Sequence, residues 1–85
     1  MSDPQTPSQP FIDVRTVPPR ERHPRIFGMA NALAVGAAFV IINDHDPRPL
    51  HYQLDAEYPG QFSWRYLESG PDVWRVELGR TAAAA

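Results

Sequence analysis

The segment Ala38-Phe39-Val40-Ile41-Ile42 places the firmest constraint on this chain. A half-exposed strand alternates apolar and polar residues, but here both faces are apolar. A strand of this kind needs cover on both sides and belongs in the middle of a sheet. The run ends abruptly in Asn43-Asp44-His45-Asp46-Pro47-Arg48-Pro49. Two acids, a histidine and an arginine in that turn are more polar chemistry than a simple connector requires.

The flanking sequence supplies partners for a central strand. Phe11 to Arg15 alternates, with Ile12 and Val14 on one side and Asp13 and Arg15 on the other, which predicts a short half-buried strand. Pro18 and Pro19 open a turn. A helix beginning at Pro19 would carry Pro24 past its first turn, losing a backbone bond and crowding the preceding carbonyl. The expectation is therefore His23 at the N-cap and Pro24 at the first helical position. Ile26, Phe27, Ala30, Leu33 and Ala34 follow as one apolar stripe, and Gly36 is expected to close the helix in the left-handed conformation.

After the central strand, Asp46 is expected to cap a second helix running from about Pro47 to Tyr58, with Leu50, Leu54 and Tyr58 in a row. His51 reads as solvent-facing. Pro59-Gly60 stops the helix. Phe62 to Leu67 alternates, with Phe62, Trp64 and Tyr66 on one face. Glu68 to Asp72 reads as a hairpin connection, and Val73 to Leu78 puts Trp74, Val76 and Leu78 inward. An aromatic nucleic-acid platform is the weaker reading of this set, because the alternation puts it under the helices.

The order β-α-β-α-β-β predicts an α+β two-layer sandwich: a mixed four-stranded sheet, two helices on one face, and an antiparallel last strand. Half of Phe39–Ile42 would then face the open side beside Arg65 and Arg75. That strip is either a homodimer surface or is covered by the tails and the arginine stems.

Eighty-five residues make one domain, placed at residues 11–80, with residues 1–10 and 81–85 expected to be disordered tails. The chain has no cysteine, which excludes disulfides, thiolate metal sites and cysteine nucleophiles. A net charge of −2 argues against general nucleic-acid binding. No stretch reads as a signal peptide or a membrane span, so a cytoplasmic protein without a membrane partner is expected. All eight basic side chains are arginine, which suits bidentate recognition of carboxylate or phosphate.

In a β-α-β unit, the loops at the carboxyl ends of the parallel strands lie side by side. That brings Arg20, Glu21, Arg22, His23, Asp44, His45, Asp46 and Arg48 to one corner, at two helix starts whose free N–H groups favour anions. Three readings follow. His23, Asp44, His45 and Asp46 are candidate ligands for a divalent metal ion, although no local ligand spacing supports them. Arg20, Arg22 and Arg48, with the histidines, are candidates for holding a small anion. Alternatively, the same residues only cap helices and pair with one another. There is no Gly-rich phosphate loop and no nucleophile elbow.

Several stretches carry a family resemblance: Ile12-Asp-Val-Arg15, Pro18-Pro-Arg-Glu-Arg-His-Pro24, Asn43-Asp-His-Asp-Pro-Arg-Pro-Leu50, Tyr52-Gln-Leu54 and Gly70-Pro-Asp-Val-Trp74. Together they resemble the bacterial family designated domain of unknown function 2249, over nearly the whole ordered chain. That family has no established activity. Its members occur alone or joined to hemerythrin-like and other small modules, which implies redox or nitrogen-oxide settings and hemerythrin-like or other redox partners.

The family is in turn similar to the TusA/SirA-like sulfur carriers. Their pattern runs Asp-x-Arg-Gly-Leu, one further residue, then Cys-Pro-x-Pro. Here Asp13 and Arg15 match, Thr16 replaces the glycine, and Pro19 stands in place of the sulfur-bearing cysteine. The resemblance thus implies the place of a site without its persulfide chemistry. The expected function is a binding module for a metal ion or small anionic ligand at the corner of His23 with Asp44–Arg48. The alternatives are a protein-interaction module using that corner or the open sheet face, and an enzyme with His23 or His45 as general base.

Overall fold

The computed structural model describes residues 9–83. Its elements are β1 (Phe11–Asp13), α1 (Pro19–Ala32), β2 (Ala38–Asn43), α2 (Arg48–Glu57), β3 (Phe62–Ser69) and β4 (Trp74–Arg80). The sheet order is β1-β2-β4-β3, with β1 parallel to β2, and β4 antiparallel to both β2 and β3. The doubly apolar segment is thus interior, as its composition demands, and β4 is the second interior strand.

Register fixes the two faces. Ile12 pairs Ile41, Ile41 pairs Val76, Phe39 pairs Leu78, and Leu78 pairs Trp64, so these side chains share one side of the sheet. Ile26 and Ala30 from α1 and Leu50 and Leu54 from α2 meet Val14, Phe39, Ile41 and Leu78 in one buried core. Both helices therefore cover the same face, in a two-layer α+β sandwich. Phe62 and Trp64 pack at the edge of that core, while Tyr66 is partly exposed.

On the other face the apolar strip is narrow. Val40 is 9% exposed and Ile42 is half-buried, leaving Phe11, at 56%, as its open member. Arg65 bonds Glu77 at 3.1 Å and Arg75 lies 3.3 Å from Glu68, flanking the strip with self-compensated charge. The chain just outside the strands is bonded to the sheet. Val40 N–H donates to the Pro10 carbonyl, Gln9 donates to Glu77, and the Thr81 and Ala82 amides donate to the Gln61 carbonyl. The rest of the expected tails, residues 1–8 and 84–85, lies outside the described residues.

Four local expectations are corrected. Helix α1 begins at Pro19 rather than Pro24, with Pro24 inside it and Pro18 as an extended N-cap. The lost backbone bond at Pro24 is offset because the earlier start turns Arg22 inward, where its guanidinium binds carbonyls of the preceding loop. Helix α1 ends at Ala32 with an extended Leu33, so Gly36 does not close it. Gly36 has φ 91° and instead makes the turn into β2, its N–H donating to the Arg80 carbonyl.

Asp46 is not a helix cap. The N-cap of α2 is Pro47, with no side-chain cap bond, and Asp46 instead accepts the Tyr66 hydroxyl at 2.7 Å. Nor is His51 solvent-facing: its ring lies flat against Trp64, centroids 4.6 Å apart and planes within 1°, with Asp55 at 3.3 Å.

The Asp46–Tyr66 bond yields a prediction. Tyr66→Phe should cost ~1 kcal/mol, the scale of one solvent-accessible side-chain hydrogen bond. Asp46→Ala in the Tyr66→Phe background should then cost little more, since no helix N–H depends on that carboxylate. Full additivity in a double-mutant denaturation cycle would restore Asp46 as a cap.

Candidate functional site

Because β1 and β2 are parallel neighbours, their following loops do meet, and the buried side chain of Arg22 ties them together. A buried cation is tolerable only when paired and fully hydrogen-bonded. Arg22, 9% exposed, donates Nε–H to the Val17 carbonyl (2.8 Å) and Nη2–H to the Arg15 carbonyl (3.4 Å). Its Nη1 donates to Asn43 Oδ1 (3.1 Å) and Asp44 Oδ1 (3.2 Å). Asn43, the last residue of β2, is itself buried and also accepts the Asp44 N–H at 2.8 Å. The first loop is thus bound to the second by one guanidinium.

Asp44 Oδ1 also accepts the His45 Nδ1–H at 2.7 Å. The bond from His45, then that from Arg22, holds the Asp44 carboxyl below its ordinary value. Across the corner, His23 Nδ1 lies 2.9 Å from Gln53 Oε1. Gln53 gives its Nε2–H to Glu57 (2.9 Å), so its oxygen faces the imidazole and the imidazole donates. Both histidines therefore have Nδ1 engaged within the protein, leaving Nε2 for a ligand, as a lone pair on the neutral ring and as an N–H donor on the imidazolium.

Between the starts of α1 and α2 lies a cleft of about 190 Å³, lined by Pro19, Arg22, His23, Ile26, Asn43, His45, Pro47, Pro49 and Leu50. Of the residues expected to bind a ligand at this corner, Arg22, His23 and His45 line it. Arg20, Asp44 and Arg48 do not: Arg20 is exposed, Asp44 is spent between Arg22 and His45, and Arg48 pairs with Asp46 at 3.5 Å. The expected metal set is not assembled. His23 is turned to Gln53 and Asp46 to Tyr66, and among the described residues no three His, Asp or Glu side chains are grouped to hold a metal ion.

The helix starts also offer fewer N–H groups than two free N-termini would. Pro18 and Pro19 open α1, and Pro47 and Pro49 flank Arg48 at the start of α2. Sequence reasoning missed Asn43 and Gln53 as site-forming residues. A polar residue ending an apolar strand was a usable signal for Asn43; nothing local distinguished Gln53.

Among the described residues, Asp44 is one of three carboxyls held low. A bond from Arg15 does this for Asp13, and a bond from Gln9 followed by Arg65 does it for Glu77. A carboxyl lowered in the folded state stabilises the fold at pH above its unfolded value, and that stability is lost as pH falls through the lower folded value. Urea unfolding should thus give stability that is flat down to about pH 5 and declines below about pH 4. Asp44→Asn should make the acid decline shallower, and an unchanged slope would count against the shift at Asp44.

A model of the family described as "Uncharacterized conserved protein (DUF2249)" matches residues 11–80. No curated protein and no solved structure matches the chain. No helix among the described residues is long and apolar enough to cross a membrane.

Proposed function

This chain belongs to the DUF2249 family of uncharacterized conserved proteins, and we propose that it is a binding module for a small anion, held in the cleft between α1 and α2. One observation carries the reading. Every ionisable side chain lining the cleft, namely Arg22, His23 and His45, is basic, and no carboxylate lines it. A divalent cation would meet the Arg22 guanidinium, whose one acid, Asp44, is already shared with His45, whereas an anion accepts the remaining Arg22 N–H and the Nε2–H of each protonated imidazole. The preformed network around Arg22 keeps the site ordered before binding, which lowers the entropy cost of capture. The resemblance to sulfur carriers adds a positional argument, because Pro19, which stands for their reactive cysteine, lines the same cleft.

An NMR titration with acetate, phosphate and zinc, read at the imidazoles and backbone amides, tests the proposal. The expected result is saturable shifts of His23, His45 and the residues around them with an anion. A tighter saturable response to zinc alone would replace the anion by a metal. His45→Ala should weaken anion binding by about tenfold or more, the scale of one charge-assisted hydrogen bond. Its fold should be unaffected, since the side chain is largely exposed.

A further inference from the structure

The donor inventory of the cleft narrows the class of anion. A guanidinium carries five N–H groups, and four of those on Arg22 are committed to Val17, Arg15, Asn43 and Asp44. One remains for a ligand, so Arg22 offers a single bond in place of the two-point clasp that arginine makes with a phosphate or a carboxylate. Pro19, Pro47 and Pro49 line the cleft and have no N–H, so the loops do not form the ring of backbone donors typical of phosphate sites. What is left is one guanidinium N–H and, on the imidazolium forms of His23 and His45, their Nε2–H groups, which suits two oxygens better than three or four.

The remaining wall is hydrocarbon. Pro19, Ile26, Pro47, Pro49 and Leu50 make up most of the lining, and Ile26 and Leu50 are part of the core. Of these, Pro19 and Pro49 are exposed, and a hydrated dianion would leave them wet whereas an aliphatic tail would cover them. A cleft of about 190 Å³ matches a carboxylate with a short, compact tail more closely than a long acyl chain or a nucleotide.

We propose that the ligand is a short-chain aliphatic monocarboxylate, with its carboxylate between Arg22 and the two protonated imidazoles and its tail on Pro19 and Pro49, above Ile26 and Leu50. This rests on the anion-binding reading above and adds the chemical class.

The test is a parallel titration with acetate, propionate, isovalerate, decanoate and inorganic phosphate, each followed by NMR at the His23 and His45 rings and the Ile26 and Leu50 methyls. Affinity should rise about tenfold or more from acetate to isovalerate, since each buried CH₂ contributes a similar increment. Isovalerate should move the methyls and the imidazoles together, bind more tightly than phosphate, and gain nothing when replaced by monomeric decanoate. Phosphate binding as tightly as isovalerate, or a flat series from acetate to isovalerate, would overturn the monocarboxylate assignment while leaving anion binding intact. Absence of a saturable shift with every anion would overturn both.

Discussion

Replacing Arg22 by alanine is expected to destabilise the protein by ~3 kcal/mol, the scale for leaving buried hydrogen-bond acceptors without their donor. For a domain of this size that lowers the melting temperature by about 12 °C or more. The reason is what remains behind. The Val17 and Arg15 carbonyls and the buried Asn43 amide oxygen each lose a donor, and Asp44 loses a charge partner. Arg22→Lys should recover part of the loss, since an ammonium keeps the charge but cannot reach as many separated oxygens as the planar fork. Arg22→Met is the more severe test. A buried ion pair can sometimes be exchanged for hydrocarbon at little cost. If Arg22→Met is within about 1 kcal/mol of wild type, Arg22 does not hold the two loops together.

Leu50→Ala should produce a similar loss, ~3 kcal/mol, by a different route. Leu50 is 1% exposed, sits in the core with Ile26, Phe39 and Leu54, and forms part of the cleft wall. Truncation removes buried hydrocarbon and leaves a void that opens towards the cleft. The urea midpoint should fall with the slope of the transition unchanged, as for a pure stability effect. In the carboxylate series, the preferred tail should become one or two carbons longer. A Leu50→Ala protein with an unaltered midpoint would mean that α2 is not seated on the core through this residue.

The order of elements was legible because each signal was local and periodic. The double-sided apolarity of Ala38–Ile42 could be met only by an interior strand, and the alternation in Phe62–Leu67 and Val73–Leu78 required a sheet with one covered face. The meeting of the two loops followed from the parallel pairing of β1 and β2. The errors lie where a local rule competed with a distant partner. Pro24 argues for a late helix start, but Arg22 reaches its oxygens only if the helix begins at Pro19. Asp46 before Pro47 has the form of a cap, yet the Tyr66 hydroxyl on β3 claims it. His51 reads as exposed until Trp64 of β3 is placed beneath it.

The sequence by itself determined the two-layer β-α-β-α-β-β architecture, the central place of Ala38–Ile42 and the corner where the polar residues gather. Strand and helix periodicity and proline placement are properties of neighbouring residues, and these sufficed. Only the tertiary structure decided how the polar corner is shared out. Arg22 became a buried tie, Asp44 its counter-ion, Asp46 an acceptor for Tyr66, and His23 and His45 the imidazoles left with a free nitrogen on the cleft. Each of those assignments depends on which oxygen lies within about 3 Å of which donor, a distance set by the packing of α1, α2 and β3 and not by spacing along the chain.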